Sequence, residues 1–408
     1  MKLRDKGVGK MIKAAVLGYG TVGSGVVEVL HTNKDIIAKR VGQEIEVKYI
    51  LDLRDFPGDP YEKCIVHDYN TIVNDPEIGI VVEAMGGVEP AYTFVKAMLL
   101  AGKQVTTSNK NLVAEKGAEL IAIARERNLN FMFGASVGGG IPIIRPLNTC
   151  LTAEEIEEIT GILNGTTNYM LTRMANEGVG FEEVLKDAQA KGYAEADPTA
   201  DVEGIDPCRK IAILTSLVCH KQVNYEDIYT EGITKITTED FAYANALGRS
   251  IKLLASSKKA GDKYACMVAP FMLAKSHPLC NVNDVFNSVF VRGNMLGDAM
   301  FYGSGAGKLP TASAVVADIV DMVKHTGTNI FVNWSQDKMD LVDYQENTNA
   351  FFVRTTSDKA DIEAAFGAVE YIEGVVDGEL AFITATMTEA EFAEKVQKVT
   401  CINRIRLA

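Results

Sequence analysis

Residues 11–30 read MIKAAVLGYGTVGSGVVEVL. Met11 to Leu17 is an apolar run of strand length. It passes without a spacer into Gly18-Tyr-Gly20-Thr21-Val22-Gly23, and a helical segment through Leu30 follows. A GxGxxG string alone is a weak signal. Between a first strand and a first helix, each glycine has a mechanical reason. Gly18 allows the tight turn, Gly20 admits backbone close to a pyrophosphate, and Gly23 lets helix and strand pack closely. The N–H groups that open the helix, around Thr21 and Val22, then face the phosphates. A glycine-rich turn without function is the competing explanation.

Working outward, strand and helix alternate. Strands are expected at Ile45–Leu51, Ile80–Glu83, Gln104–Thr107 and Asn130–Phe133, with helices from Glu89-Pro90 to Leu100 and over 114–127. That spacing predicts an α/β fold, a doubly wound parallel sheet of the Rossmann type. Ligands in such sheets lie at the carboxyl ends of the strands. By that rule Gly18–Gly23, Asp52, Met85-Gly86 and Ser108–Lys110 converge on one crevice. A carboxylate ending the second strand favours NAD, and an arginine there favours the 2′-phosphate of NADP. Asp52 and Arg54 are both present. Asp52 is nearer the strand end, which tips the reading slightly to NAD, with NADP open.

A second stretch, Gly192 to Leu214, reads GYAEADPTADVEGIDPCRKIAIL. Asp206-Pro207 reads as a helix start with Asp as N-cap. Asp206 and Lys210 then lie one turn apart, carboxylate on the N-terminal side. An amine held beside carboxylates where an apolar helix begins is a candidate acid/base group. The plainer alternative is a surface ion pair, which is the common fate of such spacing. Cys208 is read as a packing residue, since no histidine neighbours it.

The whole string resembles the substrate-site signature of homoserine dehydrogenases, as do ILNGTTNYML at 162–171 and GSGAGKLPTASAVVAD at 303–318. The resemblance implies that Lys210 and Asp206 serve carbonyl reduction, with Lys110 of TTSNK as a second, catalytic or substrate-orienting lysine. It implies that Glu195 holds the amino-acid substrate, with Asp201, Thr166 and Tyr193 lining its site, and that Gly305 flanks the nicotinamide. Thr166 or Thr167 could alternatively be a simple N-cap. In the family a monovalent cation, Na+ or K+, is held by carbonyls matching Gly134, Val137, Gly139 and Ile141. Here the first of these is Gly where relatives often carry an acid. A glycine-rich hinge is the structural alternative for 134–142. The implied activity is NAD(P)-dependent interconversion of L-aspartate 4-semialdehyde and L-homoserine, on the route to threonine, methionine and isoleucine. The alternatives are a Rossmann oxidoreductase on another amino-acid aldehyde or imine, and a nucleotide-sensing protein without turnover.

The expected domains are a Rossmann domain at 11–150 plus 305–326, an α+β substrate and dimerisation domain at 151–304, and a C-terminal domain at 349–408. The last reads βαββαβ and resembles the ACT regulatory domain. Its first turn, Thr355-Thr-Ser-Asp-Lys-Ala, lacks the DxPG-type loop that usually receives an amino acid. Threonine control therefore stands beside a structural or dimer-forming role. Residues 327–348 read as a polar linker of little specificity, and residues 1–10 as a loose basic extension.

Composition bounds the partners. The 408 residues carry 41 Lys and Arg against 54 Asp and Glu, a net charge of −13. That disfavours nucleic acid and anionic membrane. The seven cysteines are scattered without a CxxC pair, which points away from structural zinc and disulfides and toward a reducing cytoplasm. No stretch approaches the ~20 apolar residues that span a bilayer. A homodimer or higher homo-oligomer is expected.

Overall fold

The computed structural model describes residues 11–408, so the basic extension at 1–10 lies outside the described residues. The described residues divide into two compact units, residues 11–153, 216–222 and 304–338, and residues 154–215, 223–303 and 339–408.

The first unit is built on six parallel strands, β1 (Ile12–Leu17), β2 (Ile45–Leu51), β3 (Ile65–Val66), β4 (Ile78–Glu83), β5 (Gln104–Thr107) and β6 (Phe131–Met132). Their order across the sheet is β3-β2-β1-β4-β5-β6, and every neighbouring pair is parallel. The order reverses at β1, which puts the topological switch point beside the Gly18 turn. Ala14 to Leu17 and Ile80 to Val82 are fully or almost fully buried, as near-continuous apolar strands covered on both faces must be. Helices α1 (Thr21–Thr32), α2 (Lys34–Val41), α3 (Tyr69–Val73), α4 (Ala91–Leu100) and α5 (Lys110–Glu126) connect the strands. A helix at Lys308–Lys324 returns to this unit and packs on α1. Gly25 makes that approach possible, since a Cβ there would lie 2.8 Å from the Lys308 carbonyl oxygen.

The second unit opens with β7 (Ile156–Ile162), α6 (Gly165–Glu177), α7 (Phe181–Ala190), α8 (Thr199–Val202) and α9 (Ile205–Cys219). Next come β8 (Tyr229–Thr230), α10 (Thr238–Ala246) and four long strands, β9 (Arg249–Ala260), β10 (Lys263–Ala274), β11 (Phe286–Gly293) and β12 (Gly297–Ser304). The C-terminal stretch adds β13 (Thr348–Asn349), β14 (Phe351–Thr355), β15 (Glu370–Ile372), β16 (Leu380–Ile383), β17 (Met387–Thr388) and β18 (Cys401–Leu407), with helices at Lys359–Phe366 and Glu389–Val396. One sheet runs β12-β11-β7-β9-β10-β18-β14-β16-β15, so the C-terminal strands continue the sheet of the substrate-site elements. The junction is β10 against β18, parallel, with Phe271 opposite Arg406.

Three local expectations change. Helix α9 begins at Ile205, so Asp206 lies in its first turn rather than capping it. Helix α5 begins at Lys110 rather than near 114, with Asn109 as its cap. The segment 327–348 is not a featureless linker. Trp334 is 2% exposed, its indole N–H donates to Gln222 Oε1 at 3.1 Å, and its ring lies against Phe133 and Gly117. An aromatic side chain with a satisfied donor has become core where the surrounding polarity suggested solvent.

Candidate active site

In the second unit, the strand-to-helix turn at residues 163–165 organises the acidic stretch. The Asn164 side chain caps α6 by accepting the Thr167 N–H at 2.8 Å. Its amide nitrogen donates to Asp201 Oδ1 at 2.7 Å and to Asp206 Oδ2 at 2.8 Å. The same Asp206 oxygen takes the Lys210 ammonium at 2.8 Å, and Lys210 Nζ also donates to the Leu163 carbonyl at 2.7 Å. Asp206 and Lys210 are buried, so the surface-pair alternative does not hold. A buried pair survives only when further hydrogen bonds offset its desolvation, and Asn164 and Leu163 provide them. The N-cap of α6 is therefore Asn164, not Thr166 or Thr167. Thr166 instead donates to the Tyr193 carbonyl at 2.6 Å, which pins the turn after α7. The Tyr193 ring is half-exposed and stands edge-on to Tyr169 at 5.0 Å. Glu195 is exposed on that turn, and no hydrogen bond among the described residues joins its carboxylate to the Asn164 cluster.

Asn164 was missed as a functional residue. The signal was the Asn-Gly pair after an apolar strand, which suits a cap and also carries two donors. Cys208 is buried and donates weakly to the Tyr225 carbonyl, and burial pushes its thiol pKa up. Both features fit a packing role.

In the first unit the glycine motif has the expected mechanics. Gly18 has φ +94°, and a Cβ there would meet the Ala84 carbonyl oxygen at 3.0 Å. A Cβ on Gly23 would fall 1.9 Å from the Gly18 carbonyl oxygen, whereas a Cβ on Gly20 would point into open space. Gly20 is also the N-cap of α1, so the space faces the free N–H groups that Thr21 and Val22 begin. A cavity of about 630 Å³ opens there, lined among others by Gly18, Gly20, Asp52, Arg54, Met85 and Gly86. These residues fit a dinucleotide.

At the end of β2, Asp52 accepts the Tyr19 N–H at 2.9 Å and the Arg54 N–H at 3.0 Å. The Arg54 guanidinium closes on it bidentately, at 2.9 and 3.0 Å. These bonds, with the Arg54 pair first, hold the Asp52 carboxyl far below the usual carboxylate range. Glu83, at the end of β4, is fully buried and was also missed. It takes the Thr107 hydroxyl, the Met85 N–H at 2.7 Å and the Asn109 amide. Burial drives its pKa up. Glu83 thus ties the Met85-Gly86 turn to the loop carrying Ser108 and Lys110.

The glycine run at 138–140 has a close partner within the same unit. A Cβ on Gly139, whose φ is +52°, would lie 2.6 Å from the Gly305 carbonyl oxygen, and Gly140 N–H donates to the Ser304 carbonyl at 3.1 Å. The close approach is to backbone around Gly305. Gly134 N–H donates to Asp318 at 2.9 Å, and the Ile141 carbonyl accepts the Ile143 N–H at 2.9 Å. No group of three His, Cys, Asp or Glu side chains among the described residues could hold a metal. No helix among them is long and apolar enough to cross a membrane.

A family model described as the NAD binding domain of homoserine dehydrogenase matches residues 18–134, and a second, homoserine dehydrogenase, matches 142–320. Homoserine dehydrogenase of Synechocystis is 46% identical over 320 residues, covering 76% of this chain and 73% of its own. A homoserine dehydrogenase from Thiobacillus denitrificans superposes with a TM-score of 0.90 at 36% identity, over 98% of each chain. A hyperthermophilic archaeal homoserine dehydrogenase in complex with NADPH superposes with a TM-score of 0.66 at 28% identity, over 77% of this chain and 98% of its own. With a glycine-turn nucleotide cavity and a buried carboxylate-held lysine in its two units, the chain belongs to the homoserine dehydrogenases, NAD(P)-dependent oxidoreductases.

Proposed function

We propose that Lys210 is the proton-transfer group of this dehydrogenase and Asp206, Asn164 and Leu163 its fixed support. The observation that carries this is the pair of acceptors, Asp206 and the Leu163 carbonyl, that hold the buried ammonium at 2.8 and 2.7 Å. Reduction of L-aspartate 4-semialdehyde adds hydride to C4 and leaves an alkoxide that must take a proton. Lys210 gives that proton, and takes it back when L-homoserine is oxidised. A nicotinamide cofactor bound at Gly18–Gly23 supplies or accepts the hydride. Asn164 keeps the Asp201 and Asp206 carboxylates side by side by giving each one amide hydrogen, which offsets their repulsion. Glu195, exposed and unengaged by the cluster, receives the substrate α-ammonium. Thr166 holds the Tyr193 turn in place for it.

Lys110, at the first position of α5, orients substrate at the β5 edge, together with Ser108. The carbonyls of Gly134, Val137, Gly139 and Ile141 are the candidate ligands of a Na+ or K+ ion, which would stiffen the loop that packs on Gly305. The ACT-like C-terminal segment serves as a structural extension of the substrate unit. A homodimer would form along β12, an edge strand whose Met300 and Tyr302 are exposed beside Phe286, Met295 and Leu296. The enzyme would act in the cytoplasm, in amino-acid biosynthesis.

The test is isotope transfer. Aspartate 4-semialdehyde reduced with nicotinamide cofactor carrying deuterium at both C4 positions yields homoserine carrying deuterium at C4 by mass spectrometry. Turnover that leaves no deuterium in homoserine would overturn the reading.

A further inference from the structure

His67 lies between β3 and α3 on the wall of the 630 Å³ nucleotide cavity. The charged or titratable groups lining that cavity are Asp52, Arg54, His67, Asp68 and Tyr69. Asp52 and Arg54 form a closed, bidentate and mutually neutral pair, in which the arginine fork is already spent. Asp68 caps α3, accepting the Asn70 N–H and side-chain amide at 2.9 Å each. With a neutral imidazole the lining therefore carries one excess negative charge. With an imidazolium it is neutral.

The ring is placed to take the second proton. His67 Nδ1 stands 2.7 Å from the Asp52 carbonyl oxygen, and Nε2 stands 3.1 Å from the Asp55 carboxylate. Both partners are acceptors, so satisfying both requires a hydrogen on each ring nitrogen. The Asp52 carbonyl, and after it the Asp55 charge, push the His67 pKa up from its ordinary value. Histidine is the side chain whose ordinary ionisation lies nearest neutrality, and these contacts favour its charged form.

Resting on the cofactor site assigned above, we propose that His67 sets the choice between the two nicotinamide cofactors: as an imidazolium it accepts the 2′-phosphate of NADP(H), and as a neutral ring it leaves the cavity better matched to NAD(H). The adenosine 2′-hydroxyl of NAD is uncharged and indifferent to the change. The 2′-phosphate is anionic, and one charge-assisted contact decides its affinity. Arg54 is available to it only by leaving the Asp52 carboxylate, and His67 only by turning Nε2 from the Asp55 carboxylate, which is exposed.

The experiment measures the dissociation constants of NADP+ and NAD+ by titration calorimetry at pH 6.0 to 8.5, for the wild type, His67→Gln, His67→Lys and Asp55→Asn. Binding without substrate separates this test from any failure of turnover. In the wild type the preference for NADP+ over NAD+ falls by about tenfold as pH rises, the worth of one charge-assisted contact. His67→Gln shows the low preference throughout, His67→Lys the high one throughout, and Asp55→Asn moves the fall to lower pH. The phosphate's own ionisation near pH ~6 is common to every variant and cancels in the comparison. A His67→Gln protein whose preference keeps the wild-type pH profile would overturn the assignment.

Discussion

The amide nitrogen of Asn164 lies 2.8 Å from Asp206 Oδ2, the same oxygen that receives the Lys210 ammonium. One asparagine thus caps α6 and fixes the partner of the proposed acid/base lysine. The two roles separate in Asn164→Ser. Serine caps a helix about as well, so stability should fall by less than about 1 kcal/mol. It cannot give hydrogens to both carboxylates, so kcat/KM for homoserine should fall by about 10- to 100-fold. Thermal melts beside steady-state rates check this, and an unimpaired kcat/KM would remove Asn164 from the site's support.

Gly20 and Gly23 should respond oppositely to alanine. The Gly23 Cβ would fall 1.9 Å from the Gly18 carbonyl oxygen, so Gly23→Ala should destabilise the unit and lower Tm. The Gly20 Cβ meets nothing within 4 Å, so Gly20→Ala should melt like the wild type yet bind NADP+ and NAD+ at least about tenfold more weakly, because the methyl group occupies the pyrophosphate's approach.

Asp318 is buried among Thr106, Gly134 and Arg145, and burial raises its pKa to about 6. A carboxyl raised above its unfolded value contributes stability that is present at low pH and lost as pH rises through about 6. The Asn variant lacks this dependence. The melting temperature of the wild type should therefore fall relative to that of Asp318→Asn between pH 5 and pH 8. A wild-type melting temperature that rises relative to the variant over that range contradicts the assignment.

Arg406 is fully buried. It holds Glu389 bidentately, at 2.5 and 2.9 Å, and reaches Glu231 at 2.8 Å. Arg406→Met leaves the buried Glu389 carboxylate without its cation, while Glu231 keeps Arg404 at 2.8 Å, and should cost about 3–5 kcal/mol, a fall of roughly 10 °C in Tm. Since β18 pairs directly with β10, ending the chain before β14 should destabilise the substrate unit itself. A truncated protein with wild-type Tm would show the C-terminal segment to be dispensable to the sheet.

The parallel sheet and its glycine turn were legible in the sequence because a strand run, GxGxxG and a helix must follow one another there for mechanical reasons. The Asp206–Lys210 pair was legible from helical spacing. Its burial was not, because burial depends on Asn164 and Leu163, some 42 to 47 residues away in sequence. The partner of the glycine run at 138–140 was equally hidden, since Gly305 arrives only when the helix Lys308–Lys324 folds back on α1. Trp334 and Glu83 were missed for a common reason. Each takes its meaning from tertiary partners, Gln222 and Thr107 among them, and neither sits in a local pattern.

The most direct test of the central claim follows absorbance at 340 nm with L-homoserine and NAD+ or NADP+, for the wild type and Lys210→Ala, beside cofactor binding by calorimetry. The account predicts cofactor reduction by the wild type, and in Lys210→Ala a loss of at least about 100-fold in kcat with cofactor affinity retained. A Lys210→Ala enzyme that turns over homoserine at the wild-type rate would contradict it.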